Sequence, residues 1–280
     1  MVFDSLTIVG VGLIGGSVGL AAKARTGSRR VIGVGRNPDT LARARDLGAI
    51  DEFTTDLAAG VRPADVVVFC SPVDQIARQA RDAAPYARPG ALFTDAGSTK
   101  ANIVRNLDGH LPAHIRFVGA HPLAGLEKQG ADNARADLFE GRVCVLTPTP
   151  RTDLAALEWA TLFWSSLGCE VRRLTPEEHD LALATTSHLP HFVAALLAAQ
   201  LPEKWQPFTA TGFRDTTRIA SGDPALWTAI GRENALALAH ALEQFAGRLD
   251  ELRKTMLDPD SDELRDLLTE AKRVRDALGS

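Results

Sequence analysis

Cysteine is scarce in this chain of 280 residues, which contains only Cys70, Cys144 and Cys169. The number is odd, and the spacing matches no familiar set of metal ligands. Free buried thiols in a reducing compartment are therefore favoured over a fold held together by disulfides. We predict a cytoplasmic protein.

The sequence also lacks an excess of positive charge and long hydrophobic runs. Its formal net charge is -4 at pH 7, which provides no basic field for nucleic acid or an anionic membrane surface. No uncharged apolar run reaches the roughly 18 residues that a membrane-spanning helix needs. Neither nucleic acid nor a membrane is expected as a partner. A small anionic substrate remains open, because one or two arginines can bind it.

Short apolar runs alternate with helical patterns through the first half of the chain. The Val- and Ile-rich runs 6–10, 30–35 and 64–72 are typical of strands buried on both faces. Between the first two, residues 13–26 carry apolar side chains at helical spacing. Right-handed crossovers between such strands give a Rossmann-like, doubly wound parallel α/β sheet. The other predicted strands are 91–97, 115–122, 142–148 and, as a possible closing strand, 169–174.

The pattern changes at the proline-containing stretch 147–153. Beyond it the chain is mainly Ala- and Leu-rich with helical periodicity, so an all-α C-terminal domain is expected. The predicted domains are 1–150, with the sheet, and 151–280, mainly helical. The apolar helix at 192–201 is expected to be buried on all sides, and a second subunit would bury it in a homodimer. The predicted helical stretches are 178–200, 225–256 and 261–278.

A glycine-rich loop follows the first predicted strand and opens the first predicted helix. It reads Gly10-Val11-Gly12-Leu13-Ile14-Gly15 and fits the pattern G-x-G-x-x-G. The first glycine permits a tight turn, the second lets the backbone approach a pyrophosphate, and the third allows close packing of helix and strand. The helix N-terminus then faces the phosphates with its partial positive charge. A dinucleotide site is predicted, against the alternative of a purely structural turn.

The end of the second strand bears on the choice of dinucleotide. An acidic residue there binds the ribose 2′-hydroxyl of NAD, but this chain has Arg36 and Asn37 instead. Arg36 would bind the 2′-phosphate of NADP, so NADP is favoured over NAD. The alternatives are that Asn37 serves a bare ribose and that Arg36 is merely solvated. Ser71, Pro72 and Val73 follow a later strand and are also expected to line the cofactor, although a plain strand-to-helix turn explains them equally.

His121 falls at the end of the apolar run 115–122. The carboxyl ends of the strands form the edge where doubly wound proteins bind ligands. A neutral imidazole there would accept a hydroxyl proton while hydride leaves the same carbon for a nicotinamide. A buried histidine bonded to backbone is the competing explanation.

Five motifs along the chain resemble those of one enzyme family. They are GVGLIGGS at 10–17, DAGSTK at 95–100, HPLAGLEKQG at 121–130, SHLPH at 187–191 and GFRDTTRIA at 212–220. Together they resemble prephenate dehydrogenases, a family that includes arogenate and cyclohexadienyl dehydrogenases. The resemblance implies NAD(P)-dependent oxidative decarboxylation of prephenate or arogenate, to 4-hydroxyphenylpyruvate or tyrosine, in tyrosine biosynthesis.

The resemblance also implies roles for individual residues. His121 would be the catalytic base, and Ser98 would hold it in register with the nicotinamide and contact the substrate. Glu127 would gate the pocket, and His191 and Arg218 would contact the substrate, with Arg218 on a carboxylate. No metal site is expected, because no third ligand accompanies the histidines of SHLPH.

Three questions stay open at the level of the sequence. A β-hydroxyacid or imine reductase would share the glycine loop and a helical second domain. A non-catalytic dinucleotide-binding protein would keep the fold without turnover. Within the dehydrogenase family, the sequence does not distinguish prephenate from arogenate.

Overall fold

The computed structural model describes residues 3–125, 128, 130–258 and 262–279. Within these residues, eight strands form one sheet, in the spatial order 3-2-1-4-5-6-7-8. The strands are β1 (Ser5–Val9), β2 (Arg30–Val34), β3 (Glu52–Thr54), β4 (Val66–Phe69), β5 (Leu92–Asp95), β6 (Arg116–Pro122), β7 (Val143–Thr147) and β8 (Glu170–Arg173).

The sheet is parallel from β3 across to β6, as the Val-rich runs predicted. β7 departs from this pattern, because it runs antiparallel to β6, with His121 opposite Val145. β8 then runs parallel to β7. An apolar run reports that a strand is buried on both faces but says nothing of its direction, so the reversal could not be anticipated.

Helices cover both faces of the sheet and enclose two hydrophobic cores. One core contains Val18, Phe163 and Trp164, and the other contains Ile76 and Leu107. This arrangement confirms the predicted doubly wound α/β fold. The helices around the sheet are α1 (Leu13–Thr26), α2 (Pro38–Asp46), α3 (Leu57–Val61), α4 (Val73–Ala83), α5 (Ala101–Leu107) and α6 (Leu154–Ser166).

Helix α6 and strand β8 belong to the sheet layers, although both lie beyond residue 150. Asp153 caps α6 by accepting hydrogen bonds from the amides of Ala155 and Ala156. Trp164 of α6 is fully buried in the core, and β8 pairs with β7. The stretch 169–174 therefore does close the sheet. On this packing we propose a domain division near residue 175 in place of residue 150.

The remainder of the chain is helical. A capping box between Thr175 and Glu178 begins α7 (Pro176–Leu183), which continues through a π-helical turn (Ala184–His188) into α8 (Leu189–Ala199). Such π turns are frequent at functional sites. The other helices are α9 (Thr211–Thr217), α10 (Pro224–Glu233), α11 (Ala235–Thr255) and α12 (Glu263–Ala277).

The helical run Pro176–Ala199 is long and apolar enough to cross a membrane, the one such run in the described part of the chain. It nevertheless holds two buried polar residues, His179 and Asp180, that contact the sheet domain. These contacts identify it as a partly buried core helix between the sheet and the other helices.

Candidate active site

The strands bring several predicted site residues to one edge of the sheet. Gly10 follows β1, Ser71 follows β4 and Ser98 follows β5, while His121 lies next to the end of β6. Because these strands are mutually parallel up to β6, their carboxyl ends form one edge. This is the edge at which doubly wound sheets bind ligands.

The glycine loop has the geometry that a pyrophosphate requires. Gly10 has φ +94°, and a Cβ added there would lie 2.9 Å from the backbone of Cys70 and Ser71. A Cβ at Gly15 would lie 2.1 Å from the carbonyl oxygen of Gly10, whereas one at Gly12 would meet no atom within 4 Å. Helix α1 begins without a side-chain cap and without an acidic residue in its first turn. Its amides are therefore left for an anion, and these residues fit a dinucleotide.

The side chains after β2 and β4 are placed differently from one another. Arg36 is exposed at the end of β2, whereas Asn37 caps α2 with its Oδ1, which accepts a hydrogen bond of 2.8 Å from the amide of Asp39. The Oγ of Ser71 donates to Gln79, and Pro72 precedes α4. The side-chain oxygen of Asn37 is thus already used within the fold, while Arg36 is exposed to solvent.

A buried ion pair supports the loop that carries Ser98. Asp95 and Lys100 are both fully buried and form a salt bridge. Asp95 also accepts hydrogen bonds from the amides of Gly97, at 2.9 Å, and Ala120, at 3.1 Å. The regular pairing of β5 with β6 ends at Val118, so the Asp95 carboxylate extends the link between the two strands as far as the residue before His121.

A line of hydrogen bonds begins at His121. Its Nδ1 lies 2.9 Å from Nε2 of His179, and Nδ1 of His179 lies 2.8 Å from Oδ1 of Asp180. His121 belongs to the sheet domain, whereas the other two residues belong to α7. Among the described residues, Nε2 of His121 has no hydrogen-bond partner. That nitrogen is therefore available to a substrate.

Burial determines the charge states along this line. Burial lowers the pKa of His121 well below its usual value, and the nearby His179, Lys100 and His188 lower it further. Burial also lowers the pKa of His179, although its hydrogen bond to Asp180 opposes the shift. Burial would raise the pKa of Asp180, but hydrogen bonds from His179 and two backbone amides outweigh it and lower that pKa. At neutral pH both imidazoles are neutral and the carboxyl group is ionised.

Asp180 also joins the two domains. Its carboxylate accepts hydrogen bonds of 2.7 Å and 2.9 Å from the amides of Lys100 and Ala101, at the start of α5. Helix α5 has no side-chain cap within its own domain. Asn234 donates to the backbone oxygen of Asp180 at 2.7 Å and lies 3.1 Å from Nδ1 of His188. The Asp180 carboxylate thus links α7 to the start of α5, and Asn234 holds the backbone of Asp180 within the helical domain.

A cavity of about 410 Å³ lies beside the π-helical turn, lined mostly by the helical domain and also by Gly125 of the loop after β6. His191 lines it, and its ring stacks on Trp227 at a centroid distance of 3.5 Å. Among the residues that the structure describes, buried Nδ1 of His191 and buried Nε2 of His188 have no hydrogen-bond partner. Buried polar atoms of this kind are usually paired, so a ligand or water is the expected partner. The lining residues include Gly125, Thr186, Ser187, Pro190, Leu226 and Trp227.

The predicted substrate contacts do not all meet in this cavity. His191 lines it, while Ser98, His121 and Arg218 are absent from its described lining. No hydrogen bond joins Ser98 to His121 in the described part of the chain. Ser98 is half-buried and lies in the loop between the buried residues Asp95 and Lys100. Arg218 begins an exposed 3₁₀ turn after α9. Glu127 lies outside the described residues.

Sequence reasoning missed His179, Asp180 and Trp227. His179 and Asp180 sit in the stretch EEHDLA, which belongs to no motif that was singled out, and the contact with His121 spans 58 residues. The one local signal was a histidine followed by an acid in a helix of Ala and Leu. Trp227 carries no polar pattern at all, and only the fold brings it against His191.

Comparison with known proteins identifies the family. Residues 18–173 match the family described as prephenate dehydrogenase, nucleotide-binding domain, and residues 175–270 match prephenate dehydrogenase, dimerization domain. The chain belongs to the prephenate dehydrogenase family. It is an NAD(P)-dependent oxidoreductase, as the resemblance in its motifs predicted, and its helical part matches the family's dimerisation domain.

Three relatives are similar over almost their whole length. A cyclohexadienyl dehydrogenase of Zymomonas mobilis is 36% identical over 99% of this chain and 97% of the relative. The crystal structure of Aquifex aeolicus prephenate dehydrogenase, in complex with hydroxyphenyl propionate and NAD+, has a TM-score of 0.91 at 33% identity and covers 99% of both chains. The structure of Synechocystis arogenate dehydrogenase has a TM-score of 0.81 at 32% identity and covers 98% of this chain and 99% of that one.

Proposed function

We propose that this enzyme oxidatively decarboxylates prephenate or arogenate, with His121 as the catalytic base. The observation that carries the proposal is the position of His121 at the same sheet edge as the glycine loop, with an Nε2 to which no described residue is hydrogen-bonded. The names of the three relatives, which include cyclohexadienyl, prephenate and arogenate dehydrogenase, support this substrate class.

In the proposed reaction, Nε2 of His121 accepts the proton of the ring hydroxyl. When bound, the oxidised nicotinamide accepts a hydride from the ring carbon that bears this hydroxyl group. The ring carboxylate then leaves as carbon dioxide, and its bonding electrons aromatise the ring and form a phenolate oxygen. His121 returns its proton to that oxygen, so the base is regenerated. Alignment of the reacting groups supplies much of the rate gain, since orientation alone is worth several kcal/mol.

The helical domain is proposed to hold the substrate. His191 presents a buried Nδ1 that has no partner among the described residues, next to the cavity, and Arg218 offers a planar fork for a carboxylate. Ser98 and Glu127 are kept as proposed contacts near the reacting ring. Hydroxyphenyl propionate, the compound in the A. aeolicus complex, combines a phenol with a carboxylate and so resembles the product of this reaction.

For the cofactor, we propose that NADP is favoured over NAD. The exposed Arg36 is suited to a 2′-phosphate, and Arg36 and Asn37 follow the second strand where NAD enzymes have an acid. The nucleotide contacts proposed along the same edge are Gly10, Gly12, Leu13, Ile14, Gly15, Arg36, Asn37, Ser71, Pro72 and Val73. The enzyme is further proposed to be a cytoplasmic homodimer that assembles through the helical domain.

The test is a rate measurement at the nicotinamide absorbance with prephenate and arogenate, for the wild type and His121→Asn. Loss of the base should lower kcat by roughly 100- to 10,000-fold, while the dissociation constant for the dinucleotide stays unchanged. The wild-type kcat/KM should hold below pH 6.5 and fall only as the pH drops through the lowered pKa of His121. Near-normal turnover in the variant would refute the assignment.

A further inference from the structure

Asp180 determines which nitrogen of His179 carries a proton. An ionised carboxylate only accepts hydrogen bonds. Its Oδ1 lies 2.8 Å from Nδ1 of His179, so that nitrogen must donate. The two backbone amides at the start of α5 donate to the same carboxylate and hold it in place. His179 is itself fully buried, so it has little freedom to turn.

The protonation of His179 in turn determines the protonation of His121. A neutral imidazole has one N–H and one accepting nitrogen. Since Nδ1 of His179 donates to Asp180, its Nε2 accepts, and the partner at 2.9 Å is Nδ1 of His121. Nδ1 of His121 therefore carries the hydrogen, and its Nε2 keeps the lone pair that a general base needs.

We propose that His179, held by Asp180, is a positioning residue that fixes the tautomer of His121 and reserves its Nε2 for the substrate proton. The inference rests on the proposed role of His121 as the base. When Nε2 takes the proton, Nδ1–H of the resulting imidazolium remains bonded to His179, with the Asp180 carboxylate behind it. The line thus also stabilises the positive charge that forms on His121.

The other groups that face His121 do not supply this function. Lys100 and Asp95 form a buried salt bridge with each other, so their charges largely cancel. His188 contributes to the electrostatics of His121, but its Nδ1 faces Asn234, and burial lowers its pKa to about 4. No other described side chain is hydrogen-bonded to the His121 ring. His179 is thus the group that can select its tautomer.

The experiment compares His179→Gln with His179→Leu. The side-chain oxygen of glutamine can accept the hydrogen of His121 Nδ1 from about the place of Nε2, whereas leucine cannot accept one. We expect His179→Leu to lower kcat by roughly 10- to 100-fold, part of what a general base contributes. KM for the substrate and the dissociation constant for the dinucleotide should change little. His179→Gln should retain kcat within a few-fold.

A second measurement reads the tautomer itself. The chain has 7 histidines, so a long-range proton–nitrogen correlation spectrum of histidine-labelled enzyme can resolve each ring. The His121 signals are assigned by their loss in His121→Asn. In the wild type Nδ1 should be protonated and Nε2 unprotonated, and His179→Gln should preserve this state. In His179→Leu a population with protonated Nε2 should appear.

Three results would overturn the inference. They are normal kcat in His179→Leu, a protonated Nε2 in the wild type, and equal loss of kcat in both variants with an unchanged His121 tautomer. The last would reveal a structural role only. If His179→Leu does not fold, the His121 tautomer in the wild-type spectrum and the kcat and spectrum of His179→Gln still test the inference. Failure of the proposed base is distinguishable, because it would appear as turnover in His121→Asn.

Discussion

At the scale of single residues, the site contains polar atoms that are hydrogen-bonded within the protein and polar atoms that remain accessible to a ligand. The Asn37 oxygen is consumed by a helix cap, while the exposed Arg36 beside it remains accessible to a ligand. The same contrast separates Nδ1 of His121, which is hydrogen-bonded to His179, from its Nε2, which has no partner in the described part of the chain. Function therefore concentrates on atoms that neighbouring residues have left free.

The cofactor preference can be tested at Arg36. Replacing Arg36 with Ala should raise KM for NADP roughly tenfold or more, because a charge-assisted hydrogen bond to the 2′-phosphate is lost. KM for NAD should stay the same, since its ribose carries no phosphate. Steady-state kinetics with both dinucleotides measure the change. Arg62→Ala, at an exposed arginine that ends α3, is the matched control. Equal effects on the two cofactors would count against a phosphate contact.

At the scale of elements, two glycines of the glycine loop differ in what would prevent a side chain at their positions. A side chain at Gly15 overlaps the carbonyl oxygen of Gly10, so the constraint there is packing within the protein. A side chain at Gly12 meets no protein atom, so any constraint there comes from the ligand. The two positions lie three residues apart, at the start of the same helix.

This difference yields paired expectations for Gly12→Ala and Gly15→Ala. The Gly15 variant should lose about 1–3 kcal/mol of unfolding free energy through overpacking, and dinucleotide binding should weaken as the loop shifts. The Gly12 variant should keep its stability but bind dinucleotide more weakly, because the added methyl group lies where a pyrophosphate approaches. Chemical denaturation and dinucleotide titration measure the two effects. Unchanged affinity in Gly12→Ala would mean that no phosphate reaches this loop.

The elements that could be predicted from the sequence are those with a local sequence signal. The glycine loop and the longer strands of the parallel sheet were predicted because their signals are local. The short β3 was missed, because three residues carry too little pattern. The strand β7 was predicted, but its reversed direction was not, because an apolar run does not report the direction of a strand. The contact between His121 and His179 arises only when α7 docks on the sheet, so no local pattern contains it.

At the scale of the whole molecule, the helical domain leaves apolar side chains uncovered. On α11, Phe245 and Leu249 are 40% and 54% exposed and lie four residues apart, on one face of the helix. A patch of this kind, in a part of the chain that matches a dimerisation domain, is expected to meet a second copy.

The dimer prediction is tested with the double variant Phe245→Glu and Leu249→Glu. Two carboxylates in an apolar contact should shift the protein from dimer to monomer, as measured by sedimentation equilibrium. Leu162→Glu is the control, since Leu162 is 57% exposed but lies on α6 beside the sheet. A dimer that survives the double change would locate the subunit contact elsewhere.

The π-helical turn at Ala184–His188 sets the relative rotation of the two halves of a long helix. In a regular α-helix each residue advances by about 100°, so His179 and His188 would point to opposite sides. In the wider π-helical turn each residue advances by a smaller angle, so α8 is rotated about the helix axis relative to α7. His179 can then face the sheet while His188 and His191 both face Trp227. The π-helical turn thus holds one residue more than a regular α-helical turn, and loss of that residue would turn His188 and His191 away from the indole of Trp227.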